Sequence, residues 1–227
     1  APFHQWTPDV YQGAPTPITA FMAAATKVAA FVALLRVVFI ALAGLQWDMQ
    51  MVVWAVAAIT MVVGTIVGVA QSDIKRMLAY SSVAHAGFLL LGVMSLSHAG
   101  LSSTLFYLAA YAFTTLGTFG VVSIVRDSTG EATSLRQWTG LGKRSPVVAG
   151  LFTLFLLALA GIPLTSGFTA KFSVFAAAYG VGLAPLVLLA VIASAIAAFF
   201  YVRVIVLMFF TEPTEVTSSV VIPSNYT

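Results

Sequence analysis

The chain has 227 residues, 60% hydrophobic and 7% charged, with no cysteine and a net charge of +3. A soluble domain carries about 25% charged residues, so this composition, with a mean hydropathy of +1.03, marks an integral membrane protein whose few basic residues speak to topology rather than to nucleic acid. Disulfides, Cys-ligated zinc and iron–sulfur clusters are excluded within the chain. There are three histidines, no His-x-x-His or Glu-x-x-His pair and no Gly-rich phosphate loop, so no metal or nucleotide site is expected.

The first residue is Ala1 rather than Met, and the chain reads as a fragment of a longer protein. Residues 1–15 hold Pro2, Pro8, Gly13 and Pro15 interleaved with Phe3, Trp6, Val10 and Tyr11. Proline at that density forbids one continuous helix, so a broken-helix or re-entrant segment covered by protein is expected. His4 and Asp9 flank Trp6. They either hydrogen-bond and close the exposed backbone or open a cytoplasmic path.

The first membrane span runs over about 16–44 and is rich in alanine, which lets helices approach closely. Lys27 interrupts it about 17 Å from Thr16 at about 1.5 Å per residue, near the middle of a hydrocarbon core about 30 Å thick. A lysine there costs at least about 3 kcal/mol, which makes it a functional candidate. Further spans are expected over about 51–70, 77–95, 102–125, 147–179 and 185–210, giving six crossings. The breaks containing Lys75, Arg76, Arg126, Arg136, Lys143 and Arg144 alternate with breaks free of Lys and Arg. The positive-inside rule places the basic breaks, residues 1–15 and the tail 211–227 on the cytoplasmic side. Lys75 at the start of a span reads as a topology and headgroup anchor.

His85 lies on the 77–95 span with Ser81 on the same face. Imidazole can take and give a proton near neutral pH, so at membrane depth His85 is a relay candidate, the bland alternative being a hydrogen-bonded structural group. On the next span Tyr107, Tyr111, Thr114 and Thr118 recur at i, i+4, i+7 and i+11 as one stripe. It is either interhelical glue or the lining of a hydrated path. The 147–179 span is too long for a simple crossing, and Gly161-Ile-Pro163 predicts a break near 161–165. Breaks at depth are typical of transporter ion sites, and Lys171 lies two turns beyond this one. So there are two intramembrane lysines, one on an unbroken helix and one beside a break.

The acids Asp9, Asp48, Asp73, Asp127, Glu131, Glu212 and Glu215 all lie outside the expected spans. The buried lysines thus have no carboxylate partner at depth in this chain. Either each gives up its proton readily, because desolvation disfavours a charged amine, or a partner acid lies elsewhere. Both readings suit proton transfer.

Pro2-Phe-His-Gln-Trp-Thr-Pro-Asp-Val-Tyr-Gln-Gly-Ala-Pro-Thr-Pro17 with Ala25-Thr-Lys27, Asp73-Ile-Lys-Arg-Met-Leu-Ala-Tyr-Ser-Ser-Val-Ala-His85, and Ala160-Gly-Ile-Pro-Leu-Thr-Ser-Gly-Phe-Thr-Ala-Lys171-Phe resemble the antiporter-like, proton-pumping membrane subunits of respiratory complex I. The Pro8–Pro15 run and Thr26-Lys27 favour those subunits over the related Mrp-type antiporters. The resemblance implies an all-α polytopic fold, a transporter-type inverted-repeat bundle with discontinuous helices. Two repeats span helices 4–8 and 9–13 of fourteen, and this chain runs from part of helix 7 to helix 13. It further implies a relay through Lys27, His85 and Lys171, supported by Lys75, Tyr107, Tyr111, Thr114, Thr118, His4 and Asp9. The glutamate and lysine that the family pairs on helices 5 and 7 lie before Ala1. By the same resemblance no cofactor binds this chain: NADH, FMN, Fe–S clusters and quinone belong to other subunits. Its partners are other membrane subunits of complex I, the lipid bilayer, protons and water, with no nucleic acid. The location is the bacterial cytoplasmic membrane. A stand-alone cation/proton antiporter and a purely structural membrane subunit are the alternatives.

Overall fold

The computed structural model describes residues 3–42, 44–127, 130–212 and 219–221. Asp48's side chain, Glu215 and most of the expected cytoplasmic tail lie outside the described residues. The amino-terminal segment forms helix α1 (Trp6–Gly13). Pro8 sits in its first turn, where the missing N–H has no helical partner to lose. Ala14 is extended, as a residue before proline is pushed to be, and α2 (Thr16–Phe21) begins after Pro15.

The span that reads as an unbroken helix around Lys27 is not plainly α-helical. Helix α2 passes through a π-helical segment, Met22–Thr26, into α3 (Lys27–Arg36) and then a second π segment, Val37–Ala41. The Thr26 hydroxyl bonds back to the Met22 carbonyl, a side-chain competitor for the helix's own acceptor. Lys27 therefore follows directly on a widened turn, a feature frequent at functional sites.

Helices α4 (Gln46–Val69), α5 (Ile74–Met94) and α6 (His98–Ile124) follow. Asp73 caps α5 by accepting from Arg76 N at 2.9 Å, and Ser97 caps α6 by accepting from Gly100 N at 3.0 Å. The 126–146 break is more ordered than a plain loop. Strands β1 (Val125–Asp127) and β2 (Gly130–Glu131) form a hairpin, joined in antiparallel order β2-β1-β3 by β3 (Ser219–Val220). A 3-10 turn, Leu135–Trp138, and α7 (Leu141–Arg144) complete it. Trp138 pins this layer to the bundle by stacking on Phe152 at 4.7 Å and donating to Ala132 O at 2.9 Å.

The 147–179 stretch is two helices, α8 (Pro146–Ala160) and α9 (Ser166–Gly180). Gly161 ends α8 with φ +80°, a left-handed cap that favours glycine. Thr165 caps α9 by accepting from Phe168 N at 3.3 Å. Helix α10 (Ala184–Phe210) closes the bundle. Among the described residues, five helical stretches are long and apolar enough to cross a membrane by length and composition. In the most apolar stretch of each, 83% of the α5 residues are buried against 28–50% for the others. Helix α5 is the central pillar of a predominantly helical, multi-pass bundle, and the candidate site is built around it.

Candidate functional site

Lys27 projects from the start of α3 onto α5. Its Nζ donates to the Ser82 carbonyl, to Ser82 Oγ at 2.7 Å and to the Tyr111 hydroxyl at 3.1 Å. It also lies 4.2 Å from the centre of the Tyr111 ring, within cation–π range. An open cavity with about 1050 Å³ of empty space reaches it, lined by His4, Tyr11, Met22, Thr60 and Ala86 among others.

His85, 3% exposed, is the hub of α5. Its Nδ1 is 2.8 Å from the Tyr107 hydroxyl and its Nε2 3.4 Å from the Tyr201 hydroxyl, which in turn bonds to Ser81. Both ring nitrogens thus face hydroxyls that can donate or accept, so the ring can take a proton on one side and give one up on the other.

Lys171, on α9, reaches back into the gap behind α8. Its Nζ donates to Leu159 O at 2.9 Å, Ala160 O at 2.9 Å and Ser194 Oγ at 3.0 Å. The break at Gly161-Ile162-Pro163 supplies the two carbonyl acceptors, because carbonyls in the last turn of a helix have no onward amide, and α10 supplies Ser194. Phe88 stands between this lysine and the histidine: its ring centre is 5.0 Å from Lys171 Nζ and 5.7 Å from the His85 ring. Among the described residues neither Lys27 nor Lys171 is ion-paired.

The remaining candidates divide. Tyr107 and Tyr111 join the site, whereas the Thr114 and Thr118 hydroxyls each bond at 2.7 Å to the carbonyl four residues back in their own helix. Lys75 differs from the headgroup anchor expected of it. It is 1% exposed, donates to Ala14 O at 2.6 Å and pairs with Glu131 at 3.1 Å. Glu131 also accepts from the Thr16 amide and hydroxyl. Burial alone would raise the Glu131 carboxyl, but Thr16 and Lys75 outweigh it and hold it below its ordinary value. Asp9 and His4 do not meet: Asp9 pairs with Arg76 at 2.6 Å, while His4 lines the Lys27 cavity with an unpartnered Nδ1.

Ser82, Phe88, Ser194, Tyr201 and Glu131 are the site residues the sequence reading missed. Ser194 and Tyr201 carry a usable signal, since they stand seven apart and share a helix face in a span whose one charged residue is Arg203.

The chain is similar to proteins named NADH-quinone oxidoreductase subunit N. With that of Rhodococcus opacus it is 66% identical over 226 residues, covering 100% of this chain and 42% of that protein. With that of Mycobacterium tuberculosis it is 60% identical over 226 residues, covering 98% and 43%. It thus spans about two fifths of the length of the curated relatives it matches. A chain of respiratory complex I from Thermus thermophilus, solved with bound aureothin, matches at TM-score 0.81 and 36% identity, covering 95% of this chain and 47% of that one. A chain of the Mrp complex from a Dietzia species matches at TM-score 0.85 and 29% identity, covering 94% and 40%. The family described as NADH:quinone oxidoreductase/Mrp antiporter, transmembrane, matches residues 1–213, and the chain belongs to that family.

Proposed function

We propose that the chain is the relay-bearing part of a proton-translocating membrane subunit of a bacterial NADH:quinone oxidoreductase. The observation that carries this reading is a pair of lysines without carboxylates, the half-buried Lys27 and the buried Lys171, flanking one histidine whose two nitrogens both face hydroxyls. An ammonium held only by hydroxyls and carbonyls is sensitive to charge in its neighbourhood. A unit charge brought to about 8 Å changes its protonation free energy by about 2 kcal/mol at an effective dielectric of about 20, more than tenfold in the equilibrium. Lys27 acts as the connecting carrier, Lys171 as the terminal switch, and His85 with Tyr107, Tyr111 and Tyr201 as the link between them.

In this reading quinone is reduced in other subunits, which also hold NADH, FMN and the Fe–S clusters. Charge changes relayed through neighbouring membrane subunits decide when each lysine holds its proton. The basic breaks, α1 and the carboxyl-terminal tail face the cytoplasm in the inner membrane. The full-length protein carries a membrane-depth carboxylate near the helix 7 lysine. The test is Lys27→Ala and Lys171→Ala, made separately in the intact complex, with quinone reduction and proton pumping measured. Pumping falls strongly with assembly preserved; normal pumping in both variants sinks the reading.

A Mrp-type cation/proton antiporter is the second reading, favoured by the TM-score of 0.85 to the Dietzia Mrp chain. The neighbouring genes separate the two, since an antiporter is encoded without the hydrophilic redox subunits. A purely structural subunit leaves the buried lysines without a reason.

A further inference from the structure

Two backbone bonds knit the segment after the β1–β2 hairpin to the start of α5. Ile74 N donates to Thr133 O at 2.7 Å and Leu135 N to Ser72 O at 2.9 Å, pairing Asp73 with Ser134 as an antiparallel bridge. Trp138 holds the same frame by donating to Ala132 O. Glu131 and Lys75 are mounted on this frame and close on the α1–α2 junction from both sides of Pro15. Lys75 Nζ donates to Ala14 O at 2.6 Å, while the Glu131 carboxylate accepts from Thr16 N at 3.2 Å and from Thr16 Oγ1 at 2.5 Å.

Pro15 stands at the N-cap of α2, where Ser, Thr, Asp or Asn usually supplies a side-chain acceptor and proline supplies none. Glu131 takes over that duty at the buried Thr16 from 115 positions away. Helix α2 has six residues, too few to hold its own place. It leads through the π-helical turn Met22–Thr26 into α3, which opens on Lys27. The stretch from Thr16 to Lys27 is thus tied to α5 at two points, through Glu131 to Lys75 and from Lys27 Nζ to Ser82. Lys75 and Ser82 stand seven apart on one face of α5. Between the two ties lies a turn that closes its bonds over five residues rather than four. Where Thr16 is held therefore sets how deep, and at what rotation, Lys27 meets α5.

We propose that Glu131 is a positioning residue for Lys27. It fixes Thr16, and through α2 and the π turn it keeps the Lys27 ammonium on Ser82 and Tyr111 without touching it. A capping side chain at residue 15 would tie α2 only to its own neighbour. Glu131 ties it to the frame that also carries Lys75, so the same helix, α5, fixes both the start of the lysine's helix and the lysine's acceptor. The effect on pumping rests on the relay reading above; the placement of Lys27 does not. A functional group needs its geometry held to within a fraction of an ångström by residues around it, and a shift of about 1 Å from a distant change costs up to about a hundredfold in rate.

The test uses the intact complex carrying Thr16→Val, which keeps the shape, removes the hydroxyl and leaves Lys75 its counter-charge. Thr16→Ser is the conservative partner. Glu131→Asp, which keeps the charge and shortens the reach by one methylene, releases Thr16 independently, so the test survives if either variant fails to assemble. Electron cryomicroscopy measures the distances from Lys27 Nζ to Ser82 and to the Tyr111 hydroxyl, and pumping per quinone reduced and thermal stability are measured on the same preparations. In Thr16→Val and in Glu131→Asp, Lys27 is expected to lose at least one of these contacts and pumping per quinone reduced to fall about tenfold, with Thr16→Ser near the native value. The double variant should pump no worse than the weaker single variant, since both act through one contact. Lowered thermal stability with the Lys27 contacts and the pumping ratio unchanged makes Glu131 a helix cap only and overturns the proposal. Additive losses in the double variant overturn the route through Thr16. If Lys27 is displaced and pumping is unchanged, Lys27→Ala decides: loss of pumping there overturns the consequence claimed for the displacement, whereas normal pumping there faults the relay reading and leaves the positioning of Lys27 standing.

Discussion

Lys27 Nζ touches Tyr111 in two ways at once, 3.1 Å from the hydroxyl and 4.2 Å from the centre of the ring. The ring stabilises the ammonium through its face, and the hydroxyl accepts from it. Tyr111→Phe separates the two contributions. It keeps the ring and removes a hydrogen bond to a charged group worth about 1.5–3 kcal/mol. Pumping should slow about tenfold or more with the complex assembled. Tyr111→Leu, which removes both, should be slower still. Equal rates for Tyr111→Phe and the native complex in a vesicle proton-uptake assay would exclude the hydroxyl from the relay.

Ser194 is the one side-chain acceptor of Lys171, at 3.0 Å; the other two are the Leu159 and Ala160 carbonyls. In Ser194→Ala the ammonium keeps two acceptors and loses the third. Proton transfer is expected to fall about tenfold, the equivalent of about 1.4 kcal/mol. Ser194→Thr keeps the hydroxyl and should retain more of the rate than Ser194→Ala. Comparing pumping per quinone reduced across the three proteins checks this.

Gly161 sits against the same lysine. A Cβ there would lie 2.9 Å from Lys171 Cδ, and the backbone has φ +80°. Gly161→Ala therefore adds about 1–2 kcal/mol of backbone strain and pushes the Lys171 side chain off its carbonyls. Both thermal stability and pumping should drop. Gly150, with open space around its Cβ position, is the control: Gly150→Ala should be neutral or stabilising by up to about 1 kcal/mol. If the two variants behave alike, the contact with Lys171 has no consequence.

The Lys75–Glu131 pair makes a prediction about acid. The Glu131 carboxyl is held below its ordinary value of 4.5 despite the opposing effect of burial. The folded protein thus binds this proton less tightly than the unfolded chain. The resulting stability is fully present above pH 4.5 and is lost as pH falls through the lower folded value. Glu131→Gln should cost about 1–3 kcal/mol near neutral pH, because the 1% exposed Lys75 loses its counter-charge. It should also remove this part of the acid sensitivity. Melting curves of the detergent-solubilised subunit at several pH values, native against variant, measure both.

Much of the fold is written in long-range hydropathy and in prolines. The hydrophobic runs and Pro163 locate the helices and the α8–α9 break because both depend on local chemistry. The π-helical turns before and after α3 are different, since no residue there is a breaker and only the packed backbone reveals them. The two lysines and the histidine are legible because a charged or ionisable group in an apolar span has no cheap explanation. Their partners are harder to read: Ser82 is an ordinary residue brought in from a distant helix, and Ser194 and Tyr201 show only as two polar positions seven apart. The threonines on α6 show the limit of periodicity. Counting from Tyr111, both i+3 and i+4 share its face, and a sequence stripe can pass through Thr114 as well as Thr115. Only the packing decides that Thr114 bonds its own helix while Thr115 faces a small cavity.

Helix α5 also acts as a ruler across the membrane. Lys27 attaches at Ser82 and Lys171 lies over the Phe88 ring, contact points on one helix whose residues are six apart, at most about 9 Å along the axis. With α5 along the bilayer normal, transfer between the lysines would move a charge through at most about a third of a hydrocarbon core about 30 Å thick. At about 2.3 kcal/mol per elementary charge per 100 mV, such a step is worth at most roughly 0.7 kcal/mol per 100 mV. If the proposed relay operates, a proton step between the two lysines is therefore itself voltage-sensitive, at a point that passes between two helices of one chain.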